Sequence, residues 1–296
     1  TPSSWSQVMS GAAAASGTLG SFSTGGLVSD LYIVRLEVTD NDNQISRDYA
    51  EIYVDKELVT GWPRSLDGSQ HVALGDIDGN GSNEIIATTT DYVNTLDNGT
   101  GGIHALRPDG SELTGFPLAT LTGSGTQANS NDPVLFDLDN DGKSEIIVTT
   151  SYAYSTSSPV YARVWIYRGN GTVFPGWPVE IPSEPQVRAP ATVADIDGDG
   201  TKEILINGRE TGKIYAYHSD GSPVSGWPVT TNPAVDQTFK DGAVAASDTD
   251  NDGLMEIFVG NINGNVYGFK ANGGVLPGWP QGIGPYPVHG TVGIAD

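Results

Sequence analysis

DIDGNGSNEIIATT (76–89), DLDNDGKSEIIVTT (137–150), DIDGDGTKEILING (195–208) and DTDNDGLMEIFVGN (248–261) are four copies of one pattern, Asp-x-Asp-x-Asp/Asn-Gly-x-x-Glu, each running into a mostly apolar, β-prone segment. Their leading aspartates fall at 76, 137, 195 and 248, in steps of 61, 58 and 53 residues. Such a period marks an array of supersecondary units. A second motif alternates with the first: Gly61-Trp62-Pro63, Gly115-Phe116-Pro117, Gly176-Trp177-Pro178, Gly226-Trp227-Pro228 and Gly278-Trp279-Pro280. Between the two lies an alternating stretch ending in a glycine turn, as in IHALRPDG (103–110), VWIYRGNG (164–171), IYAYHSDG (214–221) and VYGFKANG (266–273). Each unit therefore reads as four short strands. A small-residue strand (HVALGD, ATVADI, AVAASD) enters the acidic loop and a β-branched strand leaves it. The aromatic strand follows, then a strand carrying Gly-Trp-Pro. Four antiparallel strands per repeat predict an all-β fold of β-propeller blades, with small residues at a crowded centre and aromatics between blades.

The acidic segment carries the chemistry. Oxygens at positions 1, 3 and 5 converge when the chain turns tightly, and glycine at position 6 permits that turn. Position 7 offers a backbone carbonyl and the glutamate at position 9 closes the shell. The expected ligands are Asp76, Asp78, Asn80, Ser82 and Glu84 in the first loop, and Asp137, Asp139, Asp141, Lys143 and Glu145 in the second. They are Asp195, Asp197, Asp199, Thr201 and Glu203 in the third, and Asp248, Asp250, Asp252, Leu254 and Glu256 in the fourth. Calcium, which takes about 6–8 oxygens in flexible geometry, fits this set, whereas magnesium demands a stricter octahedron. An acidic turn of this kind also serves as an ordinary hairpin connection, but four copies in register between strands point to about four calcium sites. An EF-hand would need flanking helices and a glutamate at position 12; here the flanks are strands.

These residues resemble FG-GAP/VCBS repeats, the calcium-binding blades of integrin α-chain propellers and of many bacterial surface proteins. The resemblance covers residues 61–296. The FG-GAP signature itself is replaced by Gly-Trp/Phe-Pro, which places the chain nearer the bacterial type. The resemblance implies a secreted or cell-surface module that is not an enzyme. Four blades are complete. HGTVGIAD (289–296) parallels QHVALGD (70–76), and Gly61-Trp62-Pro63 precedes the first unit, so the blades are expected to form part of a larger propeller.

Residues 1–56 read differently from the blade region, 57–296. LYIVRLEVTD (31–40) and SRDYAEIYVD (46–55) alternate around a polar turn and predict a hairpin. They resemble the last strands of an immunoglobulin- or PKD-like β-sandwich, whose front is expected upstream. GAAAASGTLGSFSTGG (11–26) reads as loop and short strand, with a short helix over its alanines as the alternative.

Composition narrows the partners. Thirty-six acids against 14 bases give a net charge of −22, a field that repels nucleic acid and anionic membrane. Fifteen of those acids sit in the four loops, and four divalent cations would bring the charge to about −14. The chain has no cysteine, hence no disulfide or thiolate metal site, and no apolar run of transmembrane length. H-E-x-x-H, G-x-S-x-G and Walker motifs are absent. His71, His104, His218 and His289 share no spacing and read as ordinary strand or turn residues. The Gly-Trp/Phe-Pro aromatics read as inter-blade packing rather than a sugar site.

The acidic loops share one face of the array, and the connections from strand two to three and from four to one share the opposite face. That opposite face carries the insertions 91–102, 121–131 and 151–160, where Tyr92, Tyr152 and Tyr154 are the aromatic candidates for ligand contact. The expected function is a non-catalytic, calcium-stabilised extracellular recognition or adhesion module binding glycan or protein. The alternatives are an accessory region of a secreted exoenzyme, such as a subtilisin-like protease or a polysaccharide-degrading enzyme, and a structural spacer or filament subunit.

Overall fold

The computed structural model describes residues 30–39, 45–54, 61–66, 69–89, 102–119, 127–129, 132–152, 161–230, 242–288 and 290–294. The chain divides into two compact units, Thr1–Pro63 and Arg64–Asp296. In the first unit, β1 (Asp30–Thr39) and β2 (Ile45–Val54) form a two-stranded antiparallel sheet, in register from Asp30 opposite Val54 to Thr39 opposite Ile45. This is the expected hairpin, within one residue at each end. Further sandwich strands and the alanine-rich stretch lie outside the described residues.

Among the described residues the second unit contains four antiparallel sheets. The first contains β3 (Ser69–Gly75), β4 (Glu84–Thr89), β5 (Gly102–Leu106) and β6 (Leu118–Ala119), paired in that order. The second contains β7 (Gln127–Asn129), β8 (Val134–Phe136), β9 (Glu145–Tyr152), β10 (Arg163–Tyr167) and β11 (Val179–Glu180). The third runs β12 (Thr192–Ala194), β13 (Glu203–Asn207), β14 (Lys213–His218) and β15 (Val229–Thr230). The fourth runs β16 (Ala245–Ser247), β17 (Glu256–Gly260), β18 (Asn265–Phe269) and β19 (Gln281–Gly282). These are the four blades, and among the described residues there is no helix.

Two details depart from the expectation. In the second blade β7 and β8 both pair with the long β9, so the insertion 121–131 contributes a strand and is not purely loop. Gly-Trp/Phe-Pro does not lie within the fourth strand. It forms the turn entering it, with a cis peptide before each proline, and the strand itself is two residues long.

Strand alternation explains the packing. Successive residues of a strand point to opposite faces, so a blade held between two others buries both. In β13 every residue is buried: Ile204 and Ile206 join the cluster with the second blade, and Leu205 joins the cluster with the fourth. Ile147, Val164, Ile166 and Trp177 of the second blade meet Tyr215 and Tyr217 of the third. Ile86, Ile103 and Ala105 of the first blade meet Ile146, Val148 and Tyr167 of the second. First strands of neighbouring blades approach closely. A Cβ on Gly75 would lie 2.7 Å from Leu135 Cδ1, and Thr192 donates to the Val244 carbonyl at 2.6 Å.

At the outer end the tryptophans link blade to blade. The Trp177 indole donates to the Ser219 carbonyl of the third blade at 2.8 Å, and the Trp227 indole to the Ala271 carbonyl of the fourth at 2.9 Å. Both side chains are buried, and the motif works as inter-blade packing. The preceding glycines sit at positive φ with no room for a side chain. A Cβ on Gly176 would fall 1.9 Å from the Asp220 carbonyl oxygen, and one on Gly226 would fall 2.2 Å from that of Asn272.

Candidate metal centres

Each acidic loop joins the first strand of its blade to the second. Its leading aspartate works as a local cap. Asp76 accepts from Gly79 and Gly81 N–H at 2.7 Å, and Asp195 from Gly198 at 2.8 Å and Gly200 at 2.9 Å. Asp137 and Asp248 accept from Gly142 and Gly253, each at 2.9 Å. The position-5 side chains Asn80, Asp141, Asp199 and Asp252 accept from the N–H of Ser82, Lys143, Thr201 and Leu254 at 2.7–2.9 Å. Position-6 glycines all adopt positive φ, as the tight turn requires.

This wrapping brings carboxylates together. Asp76, Asp78 and Glu84 each place an oxygen within 4.8 Å of the others, as do Asp137, Asp139 and Glu145. The same holds for Asp195, Asp197 and Asp199, and for Asp248, Asp250 and Glu256. Asp141, Asp252 and Glu203 fall outside these sets. In the third loop Glu203 Oε1 lies 3.3 Å from His218 Nδ1, and Oε2 accepts from Ile196 N–H at 2.9 Å. His218 is the last residue of its strand, as expected of a strand or turn position, and it contacts an expected ligand. Asn80 holds its loop position beside the first set. Ser82, Lys143, Thr201 and Leu254 are exposed, and their carbonyl contribution stands as an expectation. Tyr92 and Tyr154 lie outside the described residues. Tyr152 ends β9, and its side chain is not described.

The position-9 glutamates are the unusual members. Glu84, Glu145, Glu203 and Glu256 are 0–5 % exposed, because they open the buried second strand. One oxygen of each accepts the N–H of the second loop residue: Ile77, Leu138, Ile196 and Thr249. Glu84 Oε1 is buried with no hydrogen-bond partner. Burial pushes the Glu145 carboxyl up to about 7, with the Asp139 and Asp141 charges adding and the Leu138 N–H opposing. Burial likewise raises Glu84 and Glu203. Asp76, held by the Gly81 N–H first, lies below its ordinary value, and the Thr201 hydroxyl and N–H lower Asp199. The first three loops thus each set a buried glutamate that resists ionisation among their aspartates.

A buried carboxylate oxygen left unpaired is costly, and an oxygen-seeking cation is what this donor set fits. Glu184, in the connection before β12, shows the contrast. It is equally buried, yet accepts from Gln186, Glu210 and Thr211 N–H and from the Thr211 hydroxyl. It needs no cation.

Two features of the loops escaped the sequence reading. Position 4 is Gly79, Asn140, Gly198 or Asn251, all at positive φ, which Asn tolerates best after Gly; the Gly/Asn alternation was a visible signal. A basic residue also ends or follows the third strand of each blade: Arg107, Arg168, His218 and Lys270. Arg168 reaches Asp139 at 2.9 Å.

The FG-GAP-like repeat model matches residues 137–206 and 195–259. No curated protein sequence matches the chain. The fold is similar to solved structures at low identity. The Bacillus licheniformis rhamnogalacturonan lyase PL11 has 17% identity and a TM-score of 0.45, covering 86% of this chain and 51% of that one. The V. cholerae biofilm matrix protein Bap1 has 19% identity and a TM-score of 0.37, covering 76% and 41%. The Dos1 propeller has 10% identity and a TM-score of 0.47, covering 86% and 56%. The chain spans about half the length of these structures, 41–56%. Blades of four antiparallel strands, an acidic loop at the same turn of each, and the family match agree: residues 137–259 carry FG-GAP-like repeats, within an all-β array of propeller-type blades.

Proposed function

We propose that the chain is a non-catalytic extracellular recognition module whose blades are stabilised by calcium, one ion per acidic loop. The observation that supports this most is the fourfold convergence of three carboxylates within 4.8 Å, at the same turn of every blade. The holders would be Asp76, Asp78, Asn80 and Glu84, with their counterparts in the other loops. Asp141, Asp252 and Glu203 would have to turn inward to join. A bound divalent cation would supply the positive charge that offsets carboxylates gathered in one turn. The chain's own residues would tie that charge to the blade, since each position-9 glutamate opens the buried second strand.

Glycan or protein is the proposed ligand, met by the connections opposite the acidic loops, with Tyr92, Tyr152 and Tyr154 as candidate contacts. A net charge of −22 disfavours nucleic acid and anionic membrane. Among the described residues no helix is long and apolar enough to cross a membrane. The test is a metal count on the purified chain dialysed against calcium-containing and then calcium-free buffer. About four bound calcium ions are expected, falling by one in an Asp137→Ala/Asp139→Ala double variant. A count near zero would sink the assignment. Glycan-array and protein-binding screens then address the ligand.

A further inference from the structure

Blades one and two meet differently from the other pairs at the end opposite the acidic loops. On β3 the side chain of His71 points toward the second blade, because strand alternation places it with Gly75, whose Cβ would meet Leu135. His71 Nδ1 accordingly lies 2.7 Å from Asp132 Oδ1, just before β8. Opposite His71 in the ladder stands Thr88, on the same face of its strand as Ile86, which packs against the second blade. Such cross-strand partners hold their Cβ atoms about 5 Å apart. From the second blade, Trp165 of β10 packs against the same cluster, stacked on Tyr167 at 5.8 Å between ring centres and 4° between planes.

Two polar atoms at this junction have no partner among the described residues. The Thr88 hydroxyl belongs to a residue that is 0% exposed, and the indole nitrogen of the half-buried Trp165 is itself buried; neither makes a hydrogen bond. Their counterparts in the third blade are satisfied. Asn207, at the position of Thr88, donates to the Gly242 carbonyl at 2.6 Å. Tyr215, at the position of Trp165, donates to the Pro182 carbonyl at 3.1 Å. Buried polar atoms without a partner are rare in folded chains and costly to keep. With Nδ1 engaged by Asp132, His71 also has its Nε2 left for a ligand. The long connections β4–β5, β6–β7 and β9–β10 all leave from strand ends of these two blades, whereas 208–212 and 261–264 suffice for β13–β14 and β17–β18.

We propose that the junction of blades one and two is a saccharide-binding site, with His71, Thr88, Asp132 and Trp165 as its contacts. This rests on reading the face opposite the acidic loops as the ligand face, and it chooses glycan over protein there. His71 and Asp132, 32% and 62% exposed at their side chains, stand at the mouth, and Thr88 lies at the inner end. Sugars present closely spaced hydroxyls that both donate and accept, beside an apolar ring face. The Trp165 N–H donates to a sugar oxygen, the Thr88 hydroxyl and His71 Nε2 exchange bonds with sugar hydroxyls, and the second Asp132 oxygen accepts from one. The exposed part of the Trp165 ring meets the apolar face of the sugar. A carboxylate in the site and a net charge of −22 select a neutral or basic sugar over a uronate or a sulfate ester.

A glycan array probed with the full chain in calcium-containing buffer tests this, followed by titration of the strongest-binding neutral saccharide into Thr88→Val, Trp165→Phe and Asp132→Asn. The chain should bind neutral or amino sugars and no uronate or sulfated member of the array. Each variant should weaken binding by about tenfold or more, since each leaves a sugar hydroxyl without its partner. Thr88→Val keeps the shape of the side chain and deletes an unpaired hydroxyl. Its melting temperature should therefore hold or rise while its affinity falls, whereas a hydroxyl with a purely structural role would lower both together. A chain that binds no saccharide overturns the proposal, as does binding that Thr88→Val and Trp165→Phe leave unchanged. In that second case, loss of binding in Tyr152→Ala would keep the ligand face and remove only this site. Failure of calcium binding would show separately in the metal count, because none of these four residues is a loop ligand.

Discussion

Gly226 and Gly278 occupy the same place in their repeats, at φ 89° and 86°, yet a Cβ on Gly278 would meet nothing within 4 Å. An alanine at either should cost about 1–2 kcal/mol for the left-handed backbone. Gly226→Ala would also drive its Cβ to 2.2 Å from the Asn272 carbonyl oxygen, and overpacking of that kind adds about 1–3 kcal/mol. In dilute protein, urea unfolding should therefore rank Gly226→Ala as clearly more damaging than Gly278→Ala. Equal losses would mean that the close approach between blades is not rigid. Glu145 makes a second prediction at this scale. Its carboxyl is raised to about 7, so the metal-free folded state holds a proton that the unfolded chain releases near 4.5. Stability tied to this group is full below about 4.5 and lost as pH rises through 7, so metal-free protein should gain melting temperature as pH falls across that window. Glu84 and Glu203 push the same way. Asp76 and Asp199 oppose only at lower pH, since theirs are lowered. With calcium bound the slope should reverse, because protons then compete with the cation. Slopes of one sign in both states would contradict the assignment.

Among elements, the Gly-Trp-Pro turn decides how firmly one blade holds the next. Trp227 is buried, lies 6.4 Å from Phe269 between ring centres, and donates to the Ala271 carbonyl. Trp227→Ala should cost about 3–5 kcal/mol in urea unfolding, and Trp279→Ala, at a half-buried ring, far less. Equal losses would show that burial does not set what each ring contributes. Much of this was legible in the sequence, because period, alternation and turn chemistry all agree along the repeat. The four sheets and their strand order follow from the acidic motif and the glycine turns. The position-1, position-3 and position-9 carboxylates converge in three loops as the spacing implies. The third differs through His218, whose reach to Glu203 depends on the pairing of β14 with β13 and on no local pattern. The placing of Gly-Trp-Pro in a turn rather than a strand was hidden for a similar reason. Tryptophan favours strands by propensity, but here the next blade's backbone fixes its position. The strand β7 within 121–131 arises because β9 extends past its neighbours.

At the scale of the whole unit 64–296, the blades and the loops form one system. Ser144 N–H donates to the Asp76 carbonyl at 3.0 Å, and Met255 N–H to the Ile196 carbonyl at 3.0 Å, so an acidic loop is bonded directly to the loop of the next blade. Disorder in one loop therefore reaches its neighbour. Fifteen acids in four turns of a chain with net charge −22 repel one another unless a cation is present. Calcium should thus stabilise the blades as a cooperative body and not loop by loop. The measurement that tests this most directly is thermal unfolding of the chain with calcium and after exhaustive chelation, at neutral pH. A single transition that falls by roughly ten degrees or more on chelation and returns with added calcium is the expected result, on the scale of a few kcal/mol of linked binding. An unchanged melting temperature would contradict the account and leave the four acidic loops as solvated turns.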